Sequence, residues 1–261
     1  MKHSMLSEER RRKIVDLVRV KHQVTVADLC QRCQVSAGTI RQDLSVLDQR
    51  GLLQRTHGGA VSLNRRGFEP LADEKQILHQ QEKQVIASLA LTLIHDGDTL
   101  VLDTGTTTLA LARLLSARRQ LTVVTNDLAI ALELEAQTDI TVILTGGLLR
   151  RQFHCTIGPA ALASLADLRV DHAFLAANGV SQEDGLTTPN LDMADLKRAF
   201  LTISREAHLL CDSSKFGRTS FVRYASLSEI HTLITDDALN GEEKRTLAET
   251  GVRLMIAPIS E

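Results

Sequence analysis

The chain has no apolar run approaching the ~18 residues a membrane-spanning helix needs, and its N-terminus has no apolar core of a signal peptide. These absences leave a cytosolic (cytoplasmic) protein with no membrane partner as the expectation. Four cysteines without regular spacing supply no disulfide framework, which suits a reducing compartment. Cys30 and Cys33 form a C-x-x-C pair, but no second pair accompanies it to complete a zinc site. Both fall on the apolar face of a short helix, where packing accounts for them. His154-Cys155 is an isolated dipeptide and reads as a loop or surface feature. No serine, histidine and aspartate sit in a nucleophile-elbow motif, and internal repeats and low-complexity tracts are missing. No metal or cofactor is implied.

What is present is 261 residues, enough for a sizeable core divided between one large domain and a small one. The net charge of −2 conceals a division: residues 1–66 carry 13 Lys and Arg against 6 Asp and Glu, and the remainder 17 against 26. A head of +7 on a body of −9 suits a partner with a phosphate backbone, because each neutralised phosphate releases counterions.

Local signals divide the head into three short helices. Ser7 can cap a first helix with Ile14, Leu17 and Val18 at helical spacing. Thr25-Val26-Ala27-Asp28 matches a capping box and opens a second helix bearing Val26, Leu29, Cys30 and Cys33. Gln34-Val35 turns the chain, Ser36 caps a third helix with Ile40, Leu44 and Leu47 as its buried stripe, and Gly51 stops it. Leu52–Arg55 and Ala60–Leu63 can then pair as a wing around His57-Gly58-Gly59. This is the outline of a winged helix-turn-helix, whose third helix enters the major groove of double-stranded DNA. Ser36, Ala37, Thr39, Arg41 and Gln42 are its candidate contacts to phosphates or base edges, and Arg55 and His57 are the wing's. From the residues alone, a helical bundle used for protein contacts is the rival reading.

Asn64-Arg65-Arg66-Gly67-Phe68-Glu69-Pro70 reads as a linker. The expected organisation is a DNA-binding domain over 1–63, a linker over 64–75 and a second domain over 76–261. There, apolar strand candidates Thr99–Leu102, Leu121–Val124, Ile140–Leu144, His172–Ala176, Ala207–Leu210, His231–Ile234 and Val252–Ile256 alternate with helical segments. Continuous apolar strands of this kind argue for an α/β fold with a parallel sheet covered on both faces.

Asp103-Thr104-Gly105-Thr106-Thr107-Thr108 follows the first of these strands and opens a helix, so backbone N–H groups and hydroxyls converge there on a candidate anion site. Thr125-Asn126-Asp127 repeats that geometry after the next strand, and two such turns side by side make a ligand cleft. Ordinary capping by threonine and asparagine is the plainer alternative. Gly146-Gly147 and Asn178 end two later strands. Lys197 and Lys215 could neutralise a phosphate or bond sugar hydroxyls, or simply be solvated charges.

Thr39-Ile40-Arg41-Gln42-Asp43-Leu44, together with Arg55-Thr56-His57-Gly58-Gly59-Ala60, resembles the signature of the DeoR family of bacterial transcriptional regulators, and the resemblance continues through most of the chain. It implies a winged helix-turn-helix coupled to an effector-binding sensor domain whose fold is similar to ribose-5-phosphate isomerase. It also implies a repressor of carbohydrate-catabolic genes relieved by a phosphorylated sugar, and helix-turn-helix heads that read two half-sites imply a homo-oligomer, dimer or tetramer. Under it the Asp103–Thr108 loop would hold the phosphate, the Thr125-Asn126 loop would assist, and Lys215 would lie in a segment similar to the family's Asp-x-Ser-Lys-Phe-Gly. Gln42 departs from the family's second arginine, and Met193 stands where an acidic residue is common. The isomerase's Asp-Gly-Ala-Asp-Glu segment is matched here by Ala177-Asn178-Gly179-Val180-Ser181, without either acid, so binding without turnover is expected.

Overall fold

A computed structural model describes residues 6–21, 23–61, 69–137 and 139–259, and the chain divides into two compact units, 1–70 and 71–261. In the first, helix α1 (Ser7–Lys21) is followed by strand β1 (Gln23–Thr25), helices α2 (Val26–Cys33) and α3 (Ala37–Gln49), and strands β2 (Gln54–Thr56) and β3 (Gly59–Val61). The apolar stripes meet as the spacing predicts: Ile14, Val18, Leu29, Cys33, Ile40, Leu44 and Leu47 are buried in one cluster, and Leu17, Val26 and Cys30 pack against it. Thr25 Oγ1 caps α2 by accepting from the Asp28 N–H, and Gln34 takes the left-handed conformation that turns α2 toward α3.

The wing is shorter than its sequence suggests. Leu52 donates its N–H to the Leu47 carbonyl and Leu53 is buried in the head, so pairing with β3 begins only at Gln54. β1 adds a third strand to β3, too short to give a periodic signal. Ser62, Leu63 and the linker residues Asn64–Phe68 lie outside the described residues.

The second unit opens with α4 (Ala72–Ile77), which begins inside the stretch read from sequence as linker, and α5 (Gln80–Leu91). Then follow β4 (Thr99–Leu102), α6 (Thr106–Ala112), β5 (Leu121–Thr125), α7 (Leu128–Glu135), β6 (Ile140–Leu144), β7 (Leu148–Arg150), β8 (Cys155–Ile157) and α8 (Pro159–Ala163). The chain continues through β9 (Val170–Leu175), β10 (Gly179–Ser181), β11 (Gly185–Thr188), α9 (Leu191–Ile203), β12 (Ser204–Leu210), β13 (Val222–Ala225), β14 (Thr232–Asp236), α10 (Gly241–Glu249) and β15 (Arg253–Ala257).

The seven apolar runs form one seven-stranded sheet of order β15-β14-β12-β9-β4-β5-β6, parallel at every pairing. Their alternation explains why each run is apolar throughout. Val101, Val124, Ala173, Leu175, Leu209 and Leu233 face a cluster that includes Ala161, Ala194, Leu196 and Phe200 of α8 and α9. Leu100, Leu102, Val123, Phe174, Leu210 and Ile234 face Ile86, Ala90, Leu111, Ile130 and Leu134 of α5, α6 and α7. Helices cover both faces of the parallel sheet, as burial requires. Two small antiparallel sheets, β10-β11-β13 and β7-β8, are additional to the sequence reading.

β9 starts and ends earlier than its apolar run suggested, because the backbone of Ala176 is claimed by side chains. Its N–H donates to Asp103 Oδ2 at 2.9 Å, and its carbonyl accepts from Lys197 Nζ at 2.8 Å and Tyr224 Oη at 3.0 Å. Cys155, expected in a loop or at the surface, is instead fully buried at the start of β8, bridged to Asp127 and 3.9 Å from Met193 Sδ. Burial pushes its thiol up to about 11, so it packs rather than reacts.

Candidate functional site

In the head, Ser36 ends the turn after α2 and its hydroxyl accepts from the Thr39 N–H at 3.2 Å, fixing the start of α3. The cap leaves Ser36, Arg41 and Gln42 exposed and Ala37 and Thr39 half-buried along the first turns of the helix. Arg55 and His57 are exposed on the wing, and the Arg55 guanidinium reaches Ser45 Oγ on α3 at 2.5 Å. The Arg55 N–H donates to Asp48 at 3.0 Å, so the wing is tied to α3 by both main chain and side chain.

Asp43 has no role in the sequence reading, although it falls on the buried stripe three residues after Ile40. Its carboxylate accepts from Arg10 Nε at 2.6 Å and Arg11 Nε at 2.9 Å, locking α1 against α3 with its side chain only 2% exposed. The hydrogen bond from Arg11 to Asp43 is the main reason the guanidinium is held above its ordinary range. A charged residue on an apolar stripe was the available signal.

In the second unit all strands of the main sheet point the same way, so the turns after β12, β9, β4, β5 and β6 share one edge. The chain lays down β4, β5 and β6 outward in one direction, then returns to place β9, β12, β14 and β15 on the other side of β4. The reversal falls between β4 and β9, and such switch points are where open α/β sheets bind ligands.

Asp103 stands at that switch point, fully buried. Its Oδ2 accepts from Lys197 Nζ and from the Ala176 N–H, while its Oδ1 has no partner. Lys197 comes from α9, and its ammonium also lies 5.3 Å over the Tyr224 ring. The sequence reading offered Lys197 to a ligand, whereas the structure commits it to Asp103 and Ala176. Burial, then the charge of Asp103 and the nearby Cys211, push the Tyr224 hydroxyl well above its ordinary value.

α6 begins beside this pair. Gly105 precedes it without a side-chain cap, and the helix's first backbone bond runs from the Leu109 N–H to the Gly105 carbonyl. The N–H groups of Thr106, Thr107 and Thr108 therefore lie before its ladder. Thr108 Oγ1 turns back to the Gly105 carbonyl at 2.8 Å, Thr107 and Thr108 are buried, and Thr104 and Thr106 are half-buried. A Cβ on Gly105 would come 3.0 Å from Ala176 Cβ, so a small residue fits where these two loops meet.

The next turn is tied to the first. Thr104 Oγ1 donates to Asp127 Oδ2 at 2.5 Å, while Asp127 Oδ1 caps α7 through the Ala129 and Ile130 N–H groups. Burial raises the Asp127 carboxyl despite these bonds. Thr125 Oγ1 donates to the Leu102 carbonyl at 2.7 Å. Asn126 Nδ2 donates to the Thr156 carbonyl and approaches Met193 Sδ, leaving its buried Oδ1 without a partner. Gly147, at φ +124°, runs so close to β8 that a Cβ would lie 2.5 Å from the Ile157 carbonyl, whereas Gly146 is open. Asn178 accepts from Thr188 Oγ1 at 3.2 Å.

Lys215 lies after β12, 3.5 Å from the buried carboxylate of Asp212, and the Val180↔Phe216 bridge brings its segment beside Asn178. Burial alone would raise Asp212, but Lys215, His79, the Ser214 hydroxyl and Lys83 outweigh it and hold the carboxyl well below its usual range. Lys83 is a second residue missing from the sequence reading. It is buried on α5, donates to the Lys75 and Leu78 carbonyls, and is pushed by burial down to about 8. Its place in an ordinary amphipathic helix gives no sequence signal.

The edge thus combines uncapped N–H donors, two acceptors without partners and a half-exposed lysine, a set able to hold a polar anion. The turn Ala177-Asn178-Gly179-Val180-Ser181 itself contains no acidic residue.

Comparison with known proteins places both units. Residues 10–66 match the DeoR-like helix-turn-helix domain and residues 78–237 the DeoR C terminal sensor domain. The chain is 38% identical to the HTH-type transcriptional regulator GlpR of Haloferax volcanii, over 96% of this chain and 98% of that one. It is also 38% identical to the uncharacterized HTH-type transcriptional regulator YgbI of Escherichia coli K12, over 97% and 99%. Among solved structures, ribose 5-phosphate isomerase A of Methanocaldococcus jannaschii superposes with a TM-score of 0.40 at 19% identity, over 53% of this chain and 55% of that one. With both domain matches in sequence and near full-length relatives at this identity, the chain belongs to the DeoR family of helix-turn-helix transcriptional regulators.

Proposed function

We propose that this regulator is a cytoplasmic repressor of carbohydrate-catabolic genes that releases its operator when a phosphorylated sugar binds at the β4/β9 switch point. The observation that carries the reading is the uncapped start of α6 beside the buried Asp103–Lys197 pair. The N–H groups of Thr106, Thr107 and Thr108 are donors suited to phosphate oxygens. Oδ1 of Asp103 and Oδ1 of Asn126 are acceptors, and sugar hydroxyls are donors that match them. Thr104 and Thr125 hold the two loops together, Gly105, Gly146, Gly147 and Asn178 shape the edge, and Lys215 supplies positive charge. Lys197 acts through Asp103 as a positioning residue. The turn Ala177-Asn178-Gly179-Val180-Ser181 has no acid to move a proton, so the sugar is bound and not converted.

In the head, Ser36, Ala37, Thr39, Arg41 and Gln42 read the major groove, with Arg55 and His57 on the flanking phosphates or minor groove. Two heads read two half-sites, so the protein acts as a homo-oligomer joined through the sensor.

The test is fluorescence anisotropy of a duplex selected from a random pool by the full chain, titrated with pentose and hexose phosphates. An active effector should weaken duplex binding by about 5–150-fold. Arg41→Ala should cost about 1–3 kcal/mol of duplex binding. Thr106→Ala, which removes the hydroxyl and keeps the N–H, should retain duplex affinity and blunt the effector response. Affinity indifferent to every phosphosugar overturns the switching model, and the opposite pattern for the two variants reverses the domain roles.

A further inference from the structure

At the other half of the same strands lies a cluster that neither domain's function uses. His172 projects from β9, and Glu206 and His208 from β12, on the face that carries Leu100, Leu102 and Phe174. The parallel register sets Glu206 beside His172 and His208 beside Phe174. His172 Nδ1 and His208 Nε2 face each other at 3.0 Å, and Glu206 Oε2 is 3.9 Å from each of them. We propose that His172, Glu206 and His208 form a binding site for a divalent transition-metal ion of the zinc class, clamping β9 to β12 at the end of the sheet opposite the α6 turn.

Three features of the geometry support it. The three ligand atoms make a triangle of 3.0, 3.9 and 3.9 Å, whose equidistant point lies about 2.1 Å from every corner. That distance is the Zn–N and Zn–O bond length of protein sites, roughly 2.0–2.2 Å. The position of Glu206 is also unexplained by hydrogen bonding. The two imidazole nitrogens lie within hydrogen-bond distance of each other, and at 3.9 Å the carboxylate is too far to bond to either, yet it is equally far from both. A cation between all three gives that position a cause.

A carboxylate stands behind His172, whereas the buried Nδ1 of His208 has no partner. The other nitrogen of His172, Nε2, faces Asp98 Oδ2 at 3.7 Å, on the side where ligating imidazoles commonly have a carboxylate behind them. Asp98 is itself anchored by the His95 N–H at 2.6 Å. His208 is buried against the Phe174 ring, with centroids 4.9 Å apart, which fixes its orientation. Glu206 is about half exposed, with 47% of its side chain accessible, which gives an ion an entry path and leaves room for water as a further ligand. Two imidazoles and one carboxylate suit zinc, cobalt or nickel, whereas magnesium and calcium demand oxygen ligands.

The test uses the full chain, stripped with chelator and titrated with Co2+ as a spectroscopic stand-in for Zn2+. One equivalent should bind with visible ligand-field absorption and without thiolate charge transfer, and Zn2+ should displace it. His172→Gln should weaken binding at least ten-fold. Glu206→Gln should do the same, and because Glu206 is half exposed this variant keeps the fold. His95→Gln, outside the triangle, should bind as the parent does. Zn2+ should raise the melting temperature of the parent and not of Glu206→Gln. Absence of ligand-field absorption, or equal Co2+ affinity in the parent and Glu206→Gln, overturns the proposal. Thiolate charge transfer that survives Glu206→Gln does so as well, by assigning the metal to the cysteines.

Discussion

Asp43 and Lys83 show how much a single buried charge can decide. Removing Asp43 takes from Arg10 and Arg11 of α1 the buried carboxylate that both bond, and breaking a buried ion pair from one side typically costs about 3–5 kcal/mol. Asp43→Ala should lower head stability by that amount, read as loss of hydrogen-exchange protection in α1 and α3 with the sensor strands unchanged. For Lys83 the penalty runs the other way, since its ammonium is charged inside the protein at neutral pH. The folded lysine gives up its proton at about 8, the unfolded one at 10.5. Between those values the unfolded chain binds more protons, so stability rises with pH across that window. The depression corresponds to about 3 kcal/mol in all. Urea unfolding at pH 8 and pH 10 should therefore show the wild type gaining about 2 kcal/mol relative to Lys83→Met. Lys83 gave no signal in the sequence and Asp43 only its place on an apolar stripe, because spacing shows which face of a helix is buried and not which polar groups meet there. Lys197 makes the same point: its type and position suggested a ligand contact, and only the fold reveals Asp103 as its partner.

The elements themselves were far more legible. All seven strands of the parallel sheet were recognisable because each contains a largely apolar run, which few loops imitate. Caps were equally plain at Thr25 and Ser36, where side-chain oxygens close the first turns of α2 and α3. The strands that escaped notice, β1, β7, β8, β10, β11 and β13, have three or four residues each and are defined by their partners rather than by their own pattern. The wing stands between these cases. Its two glycines look interchangeable in sequence but are not in space. A Cβ on Gly59 would lie 1.9 Å from the Val24 carbonyl of β1, whereas one on Gly58 meets nothing within 4 Å. Gly59→Ala should therefore break the β1–β3 pairing and abolish duplex binding, while Gly58→Ala should bind like the parent. Circular dichroism and anisotropy on the two variants separate these outcomes, and equal tolerance would mean that β1 is not held against the wing.

The molecule as a whole joins a basic reader to an acidic sensor, and the sensor has a surface that its own fold leaves uncovered. β6 is the last strand of the sheet on its side, and its sequence Ile140-Thr141-Val142-Ile143-Leu144 has no charge or proline to guard the edge. Natural edge strands are normally protected against pairing by such residues, so an unguarded one points to a partner strand. Around it Leu132, Leu148 and Leu149 are exposed, with Leu132 and Leu148 at 70%. A two-fold axis at this edge would pair β6 with its copy antiparallel and bury the same leucines from both subunits. Because Leu144 and Leu148 are exposed, replacing them with lysine should leave each sensor folded and, under the proposed homo-oligomeric reading, separate the subunits. Leu144→Lys with Leu148→Lys should then sediment as a monomer, and its affinity for a two-half-site duplex should fall by about 10²–10⁴-fold as the linked second head is lost. Affinity for a single half-site should be unchanged, which separates loss of assembly from damage to the reader. A double variant that still sediments with the parent would place the subunit seam elsewhere on the sensor.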